Sequence, residues 1–218
     1  MTGINLTDLL IEAFRETALM SGLSLIIAVV IGGALGLLLY ATASPLFVKN
    51  RIINQVVGVI VNIVRSIPFL ILLVLLIPLS KAIVNTTIGP TAVVIPLSIA
   101  AVAFFARLAD ASFADVNQGV IEAAISTGAG KWSVIFRILF PEALPSIVRN
   151  IVVTAVSLIG FSAMAGTVGG GGIGDLAIRY GYQRYQTDIM IICVVLLILL
   201  VQIIHVLGDV ITKILDKK

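Results

Sequence analysis

Of the 218 residues, 60% are hydrophobic and 11% charged, with a mean hydropathy of +1.19, which leaves too few polar side chains to cover an ordinary soluble domain. The formal net charge is +3, but the basic residues stand singly around apolar stretches instead of forming a stripe, which argues against a nucleic-acid partner. Cys193 is the single cysteine, so neither an internal disulfide nor a paired-cysteine metal site can form.

Lipid is therefore the expected solvent. A chain in lipid must satisfy its backbone groups internally, and these apolar runs are long and unalternated, so helices are predicted and a β-barrel is not. The predicted class is an all-α polytopic membrane protein with five transmembrane helices in one domain, residues 1–218. The first residues carry Asp8, Glu12, Arg15 and Glu16, unlike the basic start of a signal peptide. Thr17 to Tyr40 is free of charge and long enough to span. Its Gly32, Gly33 and Gly36 offer small faces for close helix packing.

A second run extends from about Ile52 to Leu79 and is interrupted by Arg65, Pro68 and Pro78. It is too long for one straight helix, so a bend is predicted. Pro68 has no N–H to donate, which frees a carbonyl one turn earlier, where Arg65 and Ser66 lie. Arg65 in an apolar run costs about 3 kcal/mol and needs water or a partner. It either lines a pathway and meets a substrate carboxylate or bonds the freed carbonyls. The third run, Ile88 to Phe105, contains Pro96 and closes on Arg107 and Asp110.

The fourth run, Ile147 to Val168, holds Met164 among Ser162, Ala163, Ala165 and Gly166, a flexible thioether in small surroundings. That suits a gate or an apolar substrate contact, with Ser162 beside it, and suits plain helix packing equally. Gly169, Gly171 and Gly174 satisfy GxGxxG, but an apolar helix and not a strand precedes them, so no dinucleotide site is expected. They are expected to make a flexible outer turn. The fifth run, Ile189 to Leu207, contains His205 without other ligands at metal spacing.

Lysine and arginine orient the spans. With the N-terminus outside, the inner side carries Lys49, Arg51, Arg107, Lys131, Arg137, Arg149, Lys213, Lys217 and Lys218. The outer side carries Arg15, Lys81, Arg179 and Arg184. The C-terminus and the segment of about 110–145 are then cytoplasmic. Within that segment, Ser112 to Thr127 favours a helix, with Ile121, Ala124 and Ile125 on one apolar face and Gly128 placed to stop it. A second short helix follows, in which Trp132, Ile135, Phe136 and Leu139 repeat the spacing before Pro141 ends it. Such a pair either docks in the groove of a soluble partner or lies on the lipid surface.

Glu122-Ala123-Ala124, then Gly128, Ile138 and Pro141, resemble the coupling motif of permease subunits of bacterial ABC importers. Phe140 stands where that family usually has leucine. The likeness covers Thr17 to the C-terminus and narrows to the methionine-importing permeases. It is carried by Asn62 to Phe69, Pro141 to Pro145, Ser162 to Gly166, and Gly171 to Gly174 with Tyr180-Gly181-Tyr182.

The resemblance implies a homodimer in the bacterial inner membrane that passes methionine without modifying it and holds no cofactor. Two cytoplasmic ATPase subunits and an extracytoplasmic methionine-binding protein are its implied partners. Glu122, Ala123, Ala124, Gly128, Ile138 and Pro141 inherit the ATPase-coupling role, and nucleotide binding is not carried over. An ion-coupled carrier is disfavoured independently, because the spans contain no paired acids.

Overall fold

Glycine and proline account for most of the helix breaks in the computed structural model, which describes residues 6–215. Lys217 and Lys218 of the charge count lie outside the described residues. Helix α1, Leu6–Ala43, runs for 38 residues with a π-turn at Ala28–Gly32. At about 1.5 Å per residue it is roughly 57 Å long, well beyond the hydrocarbon core. It begins a full three turns before the predicted Thr17.

Helix α2, Arg51–Ser66, is capped by the Asn50 side chain, which accepts from the Ile53 amide at 3.1 Å. The chain then turns through 103° at Ile67 and Pro68 into α3, Phe69–Leu75, so the predicted bend is present. Helix α4, Ile77–Val84, completes this run and ends at Asn85 in the left-handed region, φ 59°. Helix α5, Pro90–Ala114, carries Pro96 inside it and reaches well beyond the expected Phe105.

Close approach of α1 to α5 explains Gly32 and Gly36 of the first span. A Cβ on Gly32 would lie 2.8 Å from the Val102 carbonyl oxygen, and one on Gly36 would lie 2.6 Å from the Ala109 Cβ. Lipid tails are as apolar as leucine, so tight backbone contact of this kind holds spanning helices together. Ser98 donates to the Ser24 hydroxyl at 3.3 Å and Ser24 donates to the Val94 carbonyl at 3.4 Å, pinning the register of the pair. Arg107 on α5 ties α2 to the same centre, donating to Asn62 Oδ1 and the Gly58 carbonyl, both at 3.3 Å, and pairing with Asp110 at 3.2 Å.

The connection after α5 differs from expectation in two ways. The predicted helix from Ser112 to Thr127 is interrupted, because α5 ends at Ala114 and α6, Gln118–Ser126, starts afresh after an Asn117 cap. The second short helix does not end at Pro141. Lys131–Gly166 forms one helix of 36 residues, α7, and Pro141 sits just after a π-turn at Ile135–Leu139. The wider turn reroutes the hydrogen-bond ladder where the proline supplies no donor. The fourth span is thus the far end of a helix that starts sixteen residues before the predicted Ile147.

An element absent from the sequence reading follows. Helix α8, Gly172–Leu176, runs on through a π-turn at Ala177–Tyr182 and packs on α1 and α7. Its signal was present in Ile173, Leu176 and Ala177, which are buried at i, i+3 and i+4. Helix α9, Thr187–Leu215, closes the bundle. Four helices are long and apolar enough to cross a membrane, five crossings if the bent α2–α3 pair counts as one, and no strand occurs among the described residues.

The two ends of the bundle are chemically distinct. At one, the Gly89 amide donates to the Gly169 carbonyl at 2.9 Å, and α1 meets the start of α8. At the other, the Lys131 ammonium reaches the Phe47 carbonyl.

Candidate functional site

Three places gather the candidate residues, and the first is α6. Gly128 has φ +87°, a conformation that costs an L side chain but not glycine. The Gly128 amide donates to the Ile125 carbonyl at 2.9 Å and the Ala129 amide to the Ala124 carbonyl at 3.1 Å. These paired bonds form a Schellman closure, which stops the helix and fixes the direction of the exit.

Ile121 is fully buried in the main core, with Ala124 and Ile125 packed against it. Glu122 and Ala123 are exposed, together with Val120. Ala123 therefore faces out and Ala124 leans inward. Among the described residues the Glu122 carboxylate makes no hydrogen bond or ion pair. Ile138, half-buried, lies in the π-turn of α7, and Pro141 is exposed one turn on. Helix α6 thus has a rooted inner face, an outer face with one free carboxylate, and a locked end.

The second place surrounds the break at Pro68. Arg65 is exposed and lines a cleft of about 330 Å³ with Pro68, Phe69, Ala100, Phe104 and Phe161. It makes no hydrogen bond or ion pair among the described residues, so the carbonyls freed by Pro68 do not hold it. The Ser66 hydroxyl donates to the Asn62 carbonyl at 2.8 Å instead. Phe69 and Phe161 stack with centroids 4.7 Å apart, bringing the bend against α7. The arrangement is a guanidinium in an aromatic wall, suited to a small carboxylate with an apolar tail.

Met164 lies one turn beyond Phe161 and is 50% exposed. Ser162 is turned the other way: it is buried, and its hydroxyl donates to the Ile159 carbonyl at 2.8 Å. It backs the helix and lines no open surface among the described residues. The exposed face of α7 includes Arg149, Val153 and Gly160 along with Met164. A Cβ on Gly160 would meet nothing within 4 Å. Val153 and Gly160 were missed by sequence reasoning, although their spacing to Met164 is helical.

The third place is the glycine turn. Gly169, Gly171 and Gly172 have positive φ, and the turn is packed instead of loose. The Glu16 carboxylate accepts from the Gly172 amide at 2.6 Å, and the Thr17 hydroxyl accepts from the Ile173 amide at 2.9 Å. Side chains of α1 thus cap the start of α8 from another part of the chain. Gly174 lies against the Ala163 backbone, next to Met164. Glu12, Glu16, Asp175 and Arg179 line a polar cleft of about 290 Å³ at this end.

A family model described as the binding-protein-dependent transport system inner membrane component matches residues 28–218. The chain is 45% identical to a probable D-methionine transport system permease protein, MetI, of Vibrio cholerae, over 97% of this chain and 94% of that one. It is 44% identical to the methionine import system permease protein MetP of Bacillus subtilis, over 83% and 82%. A chain solved in inward-facing conformations of the MetNI methionine ABC transporter superposes with a TM-score of 0.95 at 38% identity, over 99% of this chain and all of that one. An amino acid ABC transporter crystallised with histidines shares the fold, with a TM-score of 0.79 at 22% identity, over 95% and 94%.

Proposed function

The chain belongs to the family of inner membrane components of binding-protein-dependent transport systems, and from that membership we propose that it is the permease of an ATP-driven methionine importer. It binds and moves its substrate without chemical change. ATP hydrolysis resides in separate ATPase subunits. Near full-length similarity to relatives named for methionine transport supports the substrate.

The observation that carries the mechanism is the geometry of α6. A protrusion rooted through Ile121, closed at Gly128 and bare at Glu122 and Ala123 suits insertion into a groove on the ATPase. Closure of two ATPase subunits would push on α6 and, through Ala129 and Gly130, on the start of α7. The permease then alternates between outward and inward openings, each favoured by a different partner state.

A second copy of the chain completes the pathway. Val153, Gly160 and Met164 on α7 are exposed among the described residues, and they supply half of a wall. Arg65 faces the substrate carboxylate and Met164 the apolar side chain, while Ser162 supports α7 from behind. The end bearing Lys131 lies in the cytoplasm by the lysine and arginine excess. The end bearing Glu16 and Arg179 receives the methionine-binding protein.

The experiment uses vesicles containing the permease, its ATPase and its binding protein. ATP-dependent accumulation of methionine is the expected result. Hydrolysis of ATP with accumulation of a polar amino acid but not methionine would overturn the substrate. Accumulation without the ATPase would overturn the class.

A further inference from the structure

An apolar cleft runs between α1, α7 and α9, with a volume of about 330 Å³. On α7 it extends from Val148 to Ile159, eleven residues or about 16 Å of helix rise. Its floor is small, formed by Ser21, Gly22, Ala155 and Gly208.

Within this cleft lies one polar anomaly. Ser21 is 8% exposed, and its hydroxyl has no hydrogen-bond partner among the described residues. A buried hydroxyl in apolar surroundings gains from any acceptor that reaches it. Ser21 lies five residues, about 7.5 Å of rise, below Glu16 at the polar end of the bundle.

We propose that this cleft binds one acyl chain of a membrane phospholipid, with the Ser21 hydroxyl donating to the ester carbonyl at the head of that chain. Dimensions select the occupant. A volume of 330 Å³ along about 16 Å leaves a passage roughly 5 Å across, close to the thickness of a single hydrocarbon chain at van der Waals contact. A helix from a second protein is about 10 Å wide and would need several times that volume. The surrounding lipid supplies acyl chains at high concentration, each headed by an ester carbonyl that can accept from the Ser21 hydroxyl.

Native mass spectrometry of the complete transporter, purified with its ATPase subunits and washed free of loosely held lipid, tests the proposal. The wild type is expected to retain an adduct of phospholipid mass on the permease. Gly22→Phe should lose it, since a Cβ at Gly22 meets nothing within 4 Å and the ring has room to fill the cleft. Ser21→Ala should hold it more weakly at equal collision energy. ATP hydrolysis by the Gly22→Phe transporter, unchanged, reports that the complex has assembled. Absence of a phospholipid adduct on the wild type, an adduct of detergent mass alone, or equal retention by Gly22→Phe would each overturn the proposal. So would a cysteine cross-link placing a second copy of the chain in the cleft.

Discussion

The Glu16 carboxylate on α1 accepts a 2.6 Å hydrogen bond from the amide of Gly172, 156 positions later in the chain. With Thr17 it satisfies two amides at a helix start that has no local capping side chain. Each cap contributes about 1 kcal/mol. Glu16→Ala and Thr17→Val are expected to speed hydrogen exchange at Gly172 and Ile173 in the assembled transporter. Glu16→Gln keeps an acceptor oxygen and should lose less. Unchanged protection in Glu16→Ala would show that α8 is held by packing alone.

Gly36 and Gly22 lie on the same helix and should respond oppositely to a larger side chain. A Cβ at Gly36 meets Ala109 and the Ala106 carbonyl, whereas Gly22 has open space. Gly36→Leu forces α1 and α5 apart, at a cost of about 1–3 kcal/mol. Gly22→Ala should leave the thermal midpoint of the purified complex in place or raise it slightly. Equal midpoints for the two variants would contradict the close approach at Gly36.

Arg107 and Arg65 offer a second contrast. Removing Arg107 strands Asp110, Asn62 and the Gly58 carbonyl, so Arg107→Ala should destabilise by about 1–3 kcal/mol. Arg65→Ala removes no bond among the described residues and should change stability by less than about 0.5 kcal/mol. If Arg65 meets the substrate carboxylate, that variant raises the KM for methionine uptake instead. A thermal scan beside an uptake assay separates the two effects. Loss of stability without loss of uptake in Arg65→Ala would remove it from the pathway.

Gly128→Val places a β-branched side chain at φ +87°, at a cost of about 1–2 kcal/mol, and so loosens the end of α6. Glu122→Lys reverses the only charge on α6. Both should lower methionine uptake more than basal ATP hydrolysis, measured in the same vesicles. Full uptake by both variants would exclude α6 as the route of coupling.

Much of the architecture was legible because lipid imposes a simple rule, that long apolar runs are helices. The first span, the bend at Pro68 and the stop at Gly128 all followed from local chemistry. The errors arose where one local signal met another. Pro141 suggested a helix end, but the π-turn ahead of it lets α7 continue. The glycines from Gly169 to Gly174 suggested slack, but Glu16, Thr17 and Ala163 crowd them, and no local pattern reveals partners that far away. Ser162 and Met164 are two residues apart on a helix, so they face different sides. Their proximity in sequence concealed that only one is exposed.

The continuity of α7 has a mechanical consequence. From Trp132 to Met164 the helix measures about 48 Å, with its π-turn confined to the end near α6. A beam of that length, tilted by roughly 5°, moves its far tip by about 4 Å, close to the diameter of a methyl group. Leverage of this kind needs no refolding along the way, and the displacement grows with distance from the pivot.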